Sequence, residues 1–259
     1  MKPLYGNWIS NRMLKTLMFL IILTGGIETI LLISQSRWTM LNLILALVLI
    51  VFLVCLIYFY RARWWFDVNG GNIQNKILDL LISHIEWDGN GVALDIGCGS
   101  GALTIEIAKR YPAANIIGID NWGKKWDYTK RQCEANAQAE GVIGRTTFQQ
   151  ASASKLPFPD ETFDLVVSNL TFHEVIDSKC KLDVVKEALR VVKRGGKFVF
   201  QDLFLIKQYY GTPCQLKEAV VAMGINTVEF VNTCASPWIP KALRLPFMVG
   251  TLGLIHGEK

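Results

Sequence analysis

Val92–Leu103 reads VALDIGCGSGAL. The apolar run that ends at Ile96 is typical of a buried parallel strand, and glycines follow it at every second position, 97, 99 and 101. Glycine lets a chain turn tightly and approach a ligand without a side chain in the way. Because ligands of open α/β sheets lie at the carboxyl ends of strands, this segment predicts a ligand site at the end of the first strand.

The chain after residue 60 alternates between strand and helix patterns. Strands that are separated by helices pair in parallel through right-handed crossovers, so residues 61–259 predict one doubly wound α/β sheet domain. The predicted strands are 92–96, 115–119, 146–149, 163–168, 196–203, 227–234 and 248–256, and the predicted helices are 72–85, 101–110, 124–139, 178–192 and 214–223.

Asp120 ends the second predicted strand, about twenty residues after the glycines, where a carboxylate can accept both hydroxyls of a ribose. Gly97–Ala102 also fits the GxGxxA pattern of dinucleotide sites, so the glycines alone leave two ligand classes open. Asp95 separates these classes, because an acidic residue two positions before the first glycine would repel a pyrophosphate. It suits a nucleoside with an ammonium group and no phosphate, such as S-adenosylmethionine.

At these residues the chain resembles the class I S-adenosylmethionine-dependent methyltransferases. The resemblance continues through Leu156–Val175, LPFPDETFDLVVSNLTFHEV, and Glu187–Asp202, EALRVVKRGGKFVFQD. Both segments are similar to the branch that methylates quinones, sterols and other small molecules. The resemblance implies a seven-stranded Rossmann-like sheet whose last strand is antiparallel, with S-adenosylmethionine as the cofactor.

The resemblance also implies which residues bind the cofactor. Asp95, Gly97 and Gly99 would hold its methionine part, and Trp122 is a candidate to pack on the adenine. The full predicted set is Asp95, Gly97, Cys98, Gly99, Gly101, Asp120, Asn121, Trp122, Ser152, Ala153 and Asn169. The family usually has an aspartate for the adenine amino group where this chain has Ser152, and the neutral hydroxyl should make a weaker contact.

Methyl transfer from a sulfonium needs an aligned acceptor and the exclusion of water, so no obligatory catalytic residue follows from it. His173 could deprotonate the acceptor as a general base, or it could only shape the cofactor pocket. Tyr209 could orient the acceptor or have a packing role. The six cysteines follow no metal-ligand spacing, and no metal site is expected.

Residues 1–60 predict a membrane anchor of two transmembrane helices, about 13–33 and 39–60. Residues 39–60 carry no charge and are long enough to cross a bilayer. Glu28 interrupts the first span. It could be a functional group inside the membrane, or its side chain could reach the membrane interface. The loop between the spans has fewer basic residues than the flanks, which predicts that both ends and the catalytic domain face the cytoplasm.

Composition agrees with a membrane protein that has a soluble domain: 51% of residues are hydrophobic, 19% are charged and the mean hydropathy is +0.28. The net charge of +5 and the lack of a long basic stripe argue against nucleic-acid partners. Residues 61–66 and 235–247 combine aromatic and basic side chains. They suit a bilayer surface, although residues 235–247 could equally cover the core between the last two strands.

Three functions are compatible with these features. The first is a membrane-anchored methyltransferase acting on a small lipophilic acceptor such as a lipid head group, a quinone-like phenol or a hydrophobic thiol. The alternative is a non-catalytic S-adenosylmethionine-binding membrane module that recruits a partner. A nicotinamide-dependent reductase is disfavoured by Asp95. The acceptor and the oligomeric state stay open.

Overall fold

The computed structural model describes residues 2–34, 39–123 and 128–259. Its contacts divide the chain into two units: residues 7–75 form one, and residues 2–6 together with residues 76–259 form the other. The predicted boundary lay after residue 60. The division differs from it in two places, since residues 61–75 group with the N-terminal helices and residues 2–6 group with the sheet.

The unit of residues 7–75 contains two long helices, α1 (Asn11–Ile33) and α2 (Thr39–Phe66). Helix α1 begins two residues before the predicted span, because the Ser10 side chain caps it by accepting a hydrogen bond from the Met13 amide. Helix α2 continues six residues past the predicted span, and Phe66 in this last part is buried against the ring of Trp8. Both helices are long and apolar enough to cross a membrane, and their apolar stretches are not buried inside the structure.

The other unit is built on one seven-stranded sheet in the order β3-β2-β1-β4-β5-β7-β6. The first five strands are parallel, and β7 lies antiparallel between β5 and β6. The predicted sheet with an antiparallel last strand is therefore confirmed. The strands are β1 (Val92–Ile96), β2 (Asn115–Asp120), β3 (Thr146–Gln150), β4 (Phe163–Asn169), β5 (Val192–Asp202), β6 (Thr227–Val231) and β7 (Gly253–Glu258).

Helices cover both faces of this sheet, because side chains of successive strand residues point to opposite faces. Leu94 and Ile96 of β1 belong to one buried apolar cluster, whereas Ala93 belongs to the other. The remaining helices are α3 (Ile73–Ser83), α4 (Ala102–Arg110), α5 (Lys130–Ala139), α6 (Lys181–Arg190), α7 (Lys207–Tyr210) and α8 (Pro213–Ala222).

Several predicted elements are shorter in the structure, among them α6, which spans Lys181–Arg190, and β6, which ends at Val231. The largest shifts are at the starts of α5 and β7. Helix α5 begins at Lys130, where Thr129 accepts a hydrogen bond from the Gln132 amide, and residues 124–127 of the predicted helix lie outside the described residues. Strand β7 begins at Gly253, because residues 248–252 form turns held by hydrogen bonds to the Leu245 carbonyl. Neither change affects the carboxyl edge of the sheet, defined here as the loops that follow β1, β2, β3, β4 and β5.

The segment 235–247 packs largely onto the sheet domain. Ile239 and Leu243 are buried, and the Arg244 guanidinium donates hydrogen bonds to the carbonyls of Ile239 and Ser236. Phe247 stays exposed. The structure thus favours a core-covering connection for most of this segment.

Candidate functional site

The glycine loop, residues 97–101, turns directly after β1. The amides of Gly97 and Cys98 both donate to the Ile119 carbonyl of the neighbouring strand, at 2.8 and 2.9 Å. These bonds tie the start of the loop to the end of β2. The loop backbone therefore lies at the carboxyl edge, where the sequence predicted it.

Gly97 has a φ of +76°, and a methyl group built on it would overlap the side chain of Thr171. Thr171 belongs to the loop after β4, and its hydroxyl donates to the Ile96 carbonyl at 3.1 Å. Both the backbone conformation and the space at residue 97 thus require glycine. The loops after β1 and β4 meet in direct contact at this point.

Asp120 lies at the end of β2 with its carboxylate against the glycine loop. One oxygen accepts the Gly99 amide at 2.9 Å, and the other accepts the Trp122 amide at 2.7 Å. The indole N–H of Trp122 donates in turn to the Gly99 carbonyl at 2.9 Å. Asn121 is exposed, and its carbonyl accepts a bond from Gln150. Asp120 keeps further acceptor capacity, since each carboxylate oxygen has two lone pairs.

Asp95 lies beneath the glycine loop and is 1% exposed. Its carboxyl accepts a hydrogen bond from the Thr104 hydroxyl at 2.6 Å. Burial raises the pKa of Asp95 to about 7, against the opposing effect of the Thr104 bond. The structure thus shows a buried carboxyl group that is hydrogen-bonded to helix α4, and not an exposed charge that faces a ligand phosphate. Cys98 is buried beside Asp95.

The other predicted binding residues lie after β3 and β4. Ala153 is buried in the apolar core, whereas the hydroxyl of Ser152 donates to Asp177 at 2.8 Å. Asn169 ends β4, and its side-chain oxygen accepts a hydrogen bond from Gln201 at 3.0 Å. The structure therefore brings Asn169 to the same edge as the glycine loop.

His173 follows Thr171 in the loop after β4, and Asp202 at the end of β5 fixes it. Asp202 is fully buried, and its carboxylate accepts the amides of Phe172, His173 and Leu203 as well as the His173 ring at 2.7 Å. The other ring nitrogen lies 3.4 Å from Glu174. Burial opposes the charged ring, but both carboxylates outweigh it and raise the pKa of His173 to about 9.

The two tyrosines after β5, Tyr209 and Tyr210, differ in their burial. Tyr209 is 42% exposed, and the Lys181 ammonium lies 5.9 Å from its ring centre. Tyr210 is buried against the ring of Phe204, and its hydroxyl has no hydrogen-bond partner among the described residues. A buried hydroxyl without a partner is costly, and a polar ligand atom would satisfy it.

Residues 2–6 pack beside the glycine loop, which sequence reasoning missed. The buried side chain of Asn136 exchanges hydrogen bonds with the Leu4 backbone at 2.7 and 2.9 Å and also donates to the Ser100 carbonyl. The Ser100 hydroxyl donates to Tyr5. No local pattern marks these contacts, because the partners are 132 and 95 residues apart. They connect the start of the chain to helix α5 and the loop.

The residues of the carboxyl edge fit an adenosylated cofactor. The glycine loop offers backbone without side chains, and the Asp120 carboxylate next to it suits a ribose diol. The ring of Tyr128 lies close to the Gly99 α-carbon, where a methyl group would be 3.5 Å from it. Asp202, Thr171 and Tyr128 also belong to this edge, and the sequence analysis did not single them out as site residues.

Comparisons with known proteins agree with this geometry. A family model described as a methyltransferase domain matches residues 94–200. The ubiquinone/menaquinone biosynthesis C-methyltransferase of Geotalea daltonii is 34% identical over 47% of this chain and 49% of its own length. The sterol 4-C-methyltransferase of Caenorhabditis elegans is 30% identical over 61% of this chain and 47% of its own length.

A solved structure of geranyl diphosphate methyltransferase in complex with S-adenosylmethionine has the same fold. Its TM-score is 0.54 at 15% identity, and the match covers 77% of this chain and 90% of that one. This chain spans about half the length of the curated relatives it matches. From the sheet order, the glycine loop and these matches, the sheet domain of this chain belongs to the class I S-adenosylmethionine-dependent methyltransferases.

Proposed function

We propose that this chain is a membrane-anchored methyltransferase that moves a methyl group from S-adenosylmethionine to a small lipophilic acceptor. One observation carries the proposal: Thr171 contacts Gly97, and the same loop holds His173 in a buried hydrogen-bond network. A residue able to take a proton therefore lies next to the loop that the cofactor requires. The fold alone would not specify a reaction.

When bound, S-adenosylmethionine supplies an electrophilic methyl group on a sulfonium. The glycine loop and Asn169 are proposed to hold its methionine part, and the Asp120 carboxylate its ribose. Asp120 is already oriented by the Gly99 and Trp122 amides, so binding costs it little further order. The chain's own contribution is to position the reacting groups and exclude water.

The acceptor is proposed to lie beside His173 and the tyrosines after β5. One ring nitrogen of His173 is held by Asp202 and the other lies 3.4 Å from Glu174. The neutral ring, which is the main form above the pKa of about 9, is proposed to accept a proton from the acceptor at the nitrogen near Glu174. The unpartnered Tyr210 hydroxyl supports a polar contact to the acceptor, and the exposed Tyr209 could line its path. Asp202 acts as the positioning residue for His173.

The anchor is supported by the unit of residues 7–75. The outward side chains of α1 and α2 are large and apolar, among them Ile22, Ile30, Leu43, Leu47, Val54 and Ile57. Between these helices lies a cleft of about 650 Å³, lined by Leu14, Met18, Leu56 and Ile57 together with Asn11, Lys15, Tyr60 and Arg61. Apolar walls next to cations suit a lipid with an anionic head group.

The related enzymes named above carry quinone and sterol in their names, and both are lipophilic compounds.

The first prediction is that the protein methylates a lipid-soluble compound. We expect purified full-length protein, mixed with a lipid extract and S-adenosylmethionine that carries a labelled methyl group, to transfer the label to a compound extracted into organic solvent. Mass spectrometry would identify it by the added mass of one methyl. Asp120→Asn should abolish most labelling and weaken cofactor binding by about 1.5–3 kcal/mol, because a charge-assisted contact to the ribose is lost.

Ile143, an exposed residue away from the edge, provides a control, since Ile143→Ala should label as wild type. Labelling of water-soluble compounds alone would contradict the lipophilic acceptor. Cofactor binding with no labelled product in either phase would favour the non-catalytic binding module.

The second prediction is a pH profile. A base must be neutral to accept a proton, and the pKa of His173 lies at about 9. We therefore expect kcat to rise about tenfold per pH unit below that value and to level above it. Asp202→Asn removes a carboxylate that raises this pKa, so its plateau should begin at lower pH. Identical profiles for the two proteins, measured under saturating substrate, would assign His173 a structural role.

The third prediction is the topology. The excess of Lys and Arg outside the loop between the spans predicts that both ends face the cytoplasm. After exposed Cys180 and Cys214 are replaced by serine, Ser36→Cys should react with an impermeant thiol reagent in intact cells, and Lys259→Cys should not. The reverse labelling pattern would contradict this orientation, and labelling of neither position before lysis would contradict a membrane-spanning pair.

A further inference from the structure

A polar cluster joins the loops after β3 and β4. The hydroxyls of Ser152 and Ser154 both donate to one oxygen of Asp177, at 2.8 and 2.6 Å, and they also contact each other at 2.9 Å. Asp177 follows the loop that holds His173, and the serines follow β3. The cluster therefore connects two loops of the carboxyl edge through a single carboxylate.

The cluster occupies the place of the missing acidic residue. Ser152 stands where the resemblance implies an aspartate for the adenine amino group. In the structure this serine does not act alone, because its hydroxyl holds the Asp177 carboxylate within hydrogen-bond distance. A negative charge absent from position 152 is thus supplied from a loop that lies 25 residues further along the chain.

The carboxylate is charged and accessible. The hydrogen bonds from Ser154 and Ser152 lower the pKa of Asp177, and the Lys181 ammonium acts in the same direction. Asp177 is also exposed, so a ligand can reach it. It would accept a hydrogen bond from an amino group and would disfavour a ligand atom that is itself an acceptor.

The cluster lies next to the ribose carboxylate along the backbone. The Ala151 amide donates to the carbonyl of Asp120 at 3.0 Å, and Ser152 is the following residue. Adenine is attached directly to the ribose. A ribose held by Asp120 therefore puts its base within the region of the loop that Ser152 begins.

We propose that Asp177 accepts the hydrogen bond from the 6-amino group of the cofactor's adenine, with Ser152 and Ser154 orienting its carboxylate. This inference rests on the cofactor site proposed above. The serines and Asp177 together replace the single aspartate of related methyltransferases. Asp177 thereby determines selectivity for an adenine base.

The test compares two ligands that differ in one group. S-adenosylhomocysteine has the 6-amino group, and its 6-deamino analogue carries hydrogen there. For the full-length protein in detergent, calorimetry should give a weaker dissociation constant for S-adenosylhomocysteine in Asp177→Ala by about tenfold or more. The affinity for the analogue should change less than about twofold, because it has no amino group to lose a partner.

A second variant tests whether the ligand preference depends on the position of the carboxylate or on the stability of the protein. Adding Ser152→Asp to Asp177→Ala returns a carboxylate to the position implied by the resemblance, and the preference for S-adenosylhomocysteine should return. Asp88→Ala removes an exposed carboxylate before β1, at the opposite edge of the sheet, and should leave both affinities unchanged.

A role limited to tying the two loops together predicts equal weakening of both ligands by Asp177→Ala and no rescue, and this outcome would overturn the inference. If the wild-type protein binds neither ligand, the cofactor site itself is wrong, and this inference is wrong with it. Wild-type binding with an unchanged ratio in Asp177→Ala overturns the role of Asp177 alone.

Discussion

There is no room for a side chain at residue 97, and the arrangement of the candidate site depends on that constraint. A methyl group there would overlap Thr171, so the loops after β1 and β4 can lie in contact only because the residue is glycine. This contact puts the His173 loop beside the glycine loop. The two functions proposed for the site, cofactor binding and proton removal, would thereby be joined at one edge of the sheet.

Four carboxylates at this edge divide into two kinds by their environment. Asp95 and Asp202 are 1% and 0% exposed. The Asp95 carboxyl accepts a hydrogen bond from Thr104 of α4, and the Asp202 carboxylate accepts amides of the loop after β4. Asp120 and Asp177 are more accessible, although nearby donors orient both of them. Buried, hydrogen-bonded carboxyl groups fix the positions of neighbouring segments, whereas accessible and oriented carboxylates can accept bonds from a ligand.

The sequence was sufficient to predict the sheet, the glycine loop and Asp120, because each depends on residues that are close together in the chain. The alternation of strands and helices gave the parallel sheet, and the resemblance added its antiparallel strand. Contacts between distant segments left no such pattern. The pairs His173–Asp202, Ser152–Asp177 and Leu4–Asn136 are 29, 25 and 132 residues apart, and only the folded chain brings them together. The hydrogen bond that the buried Asp95 accepts from Thr104, 9 residues further along the chain, was also not predicted.

The central claim, that the contact between residues 97 and 171 assembles the site, is tested most directly by calorimetry of S-adenosylhomocysteine binding to Gly97→Ala. Gly144→Ala is the matched control, because a methyl group at residue 144 meets no atom within 4 Å. We expect Gly97→Ala to weaken binding by at least about tenfold, because its methyl group forces the two loops apart and disfavours the φ of the loop, while Gly144→Ala binds as the wild type does. Equal affinity of Gly97→Ala and wild type, with both proteins folded, would contradict the claim.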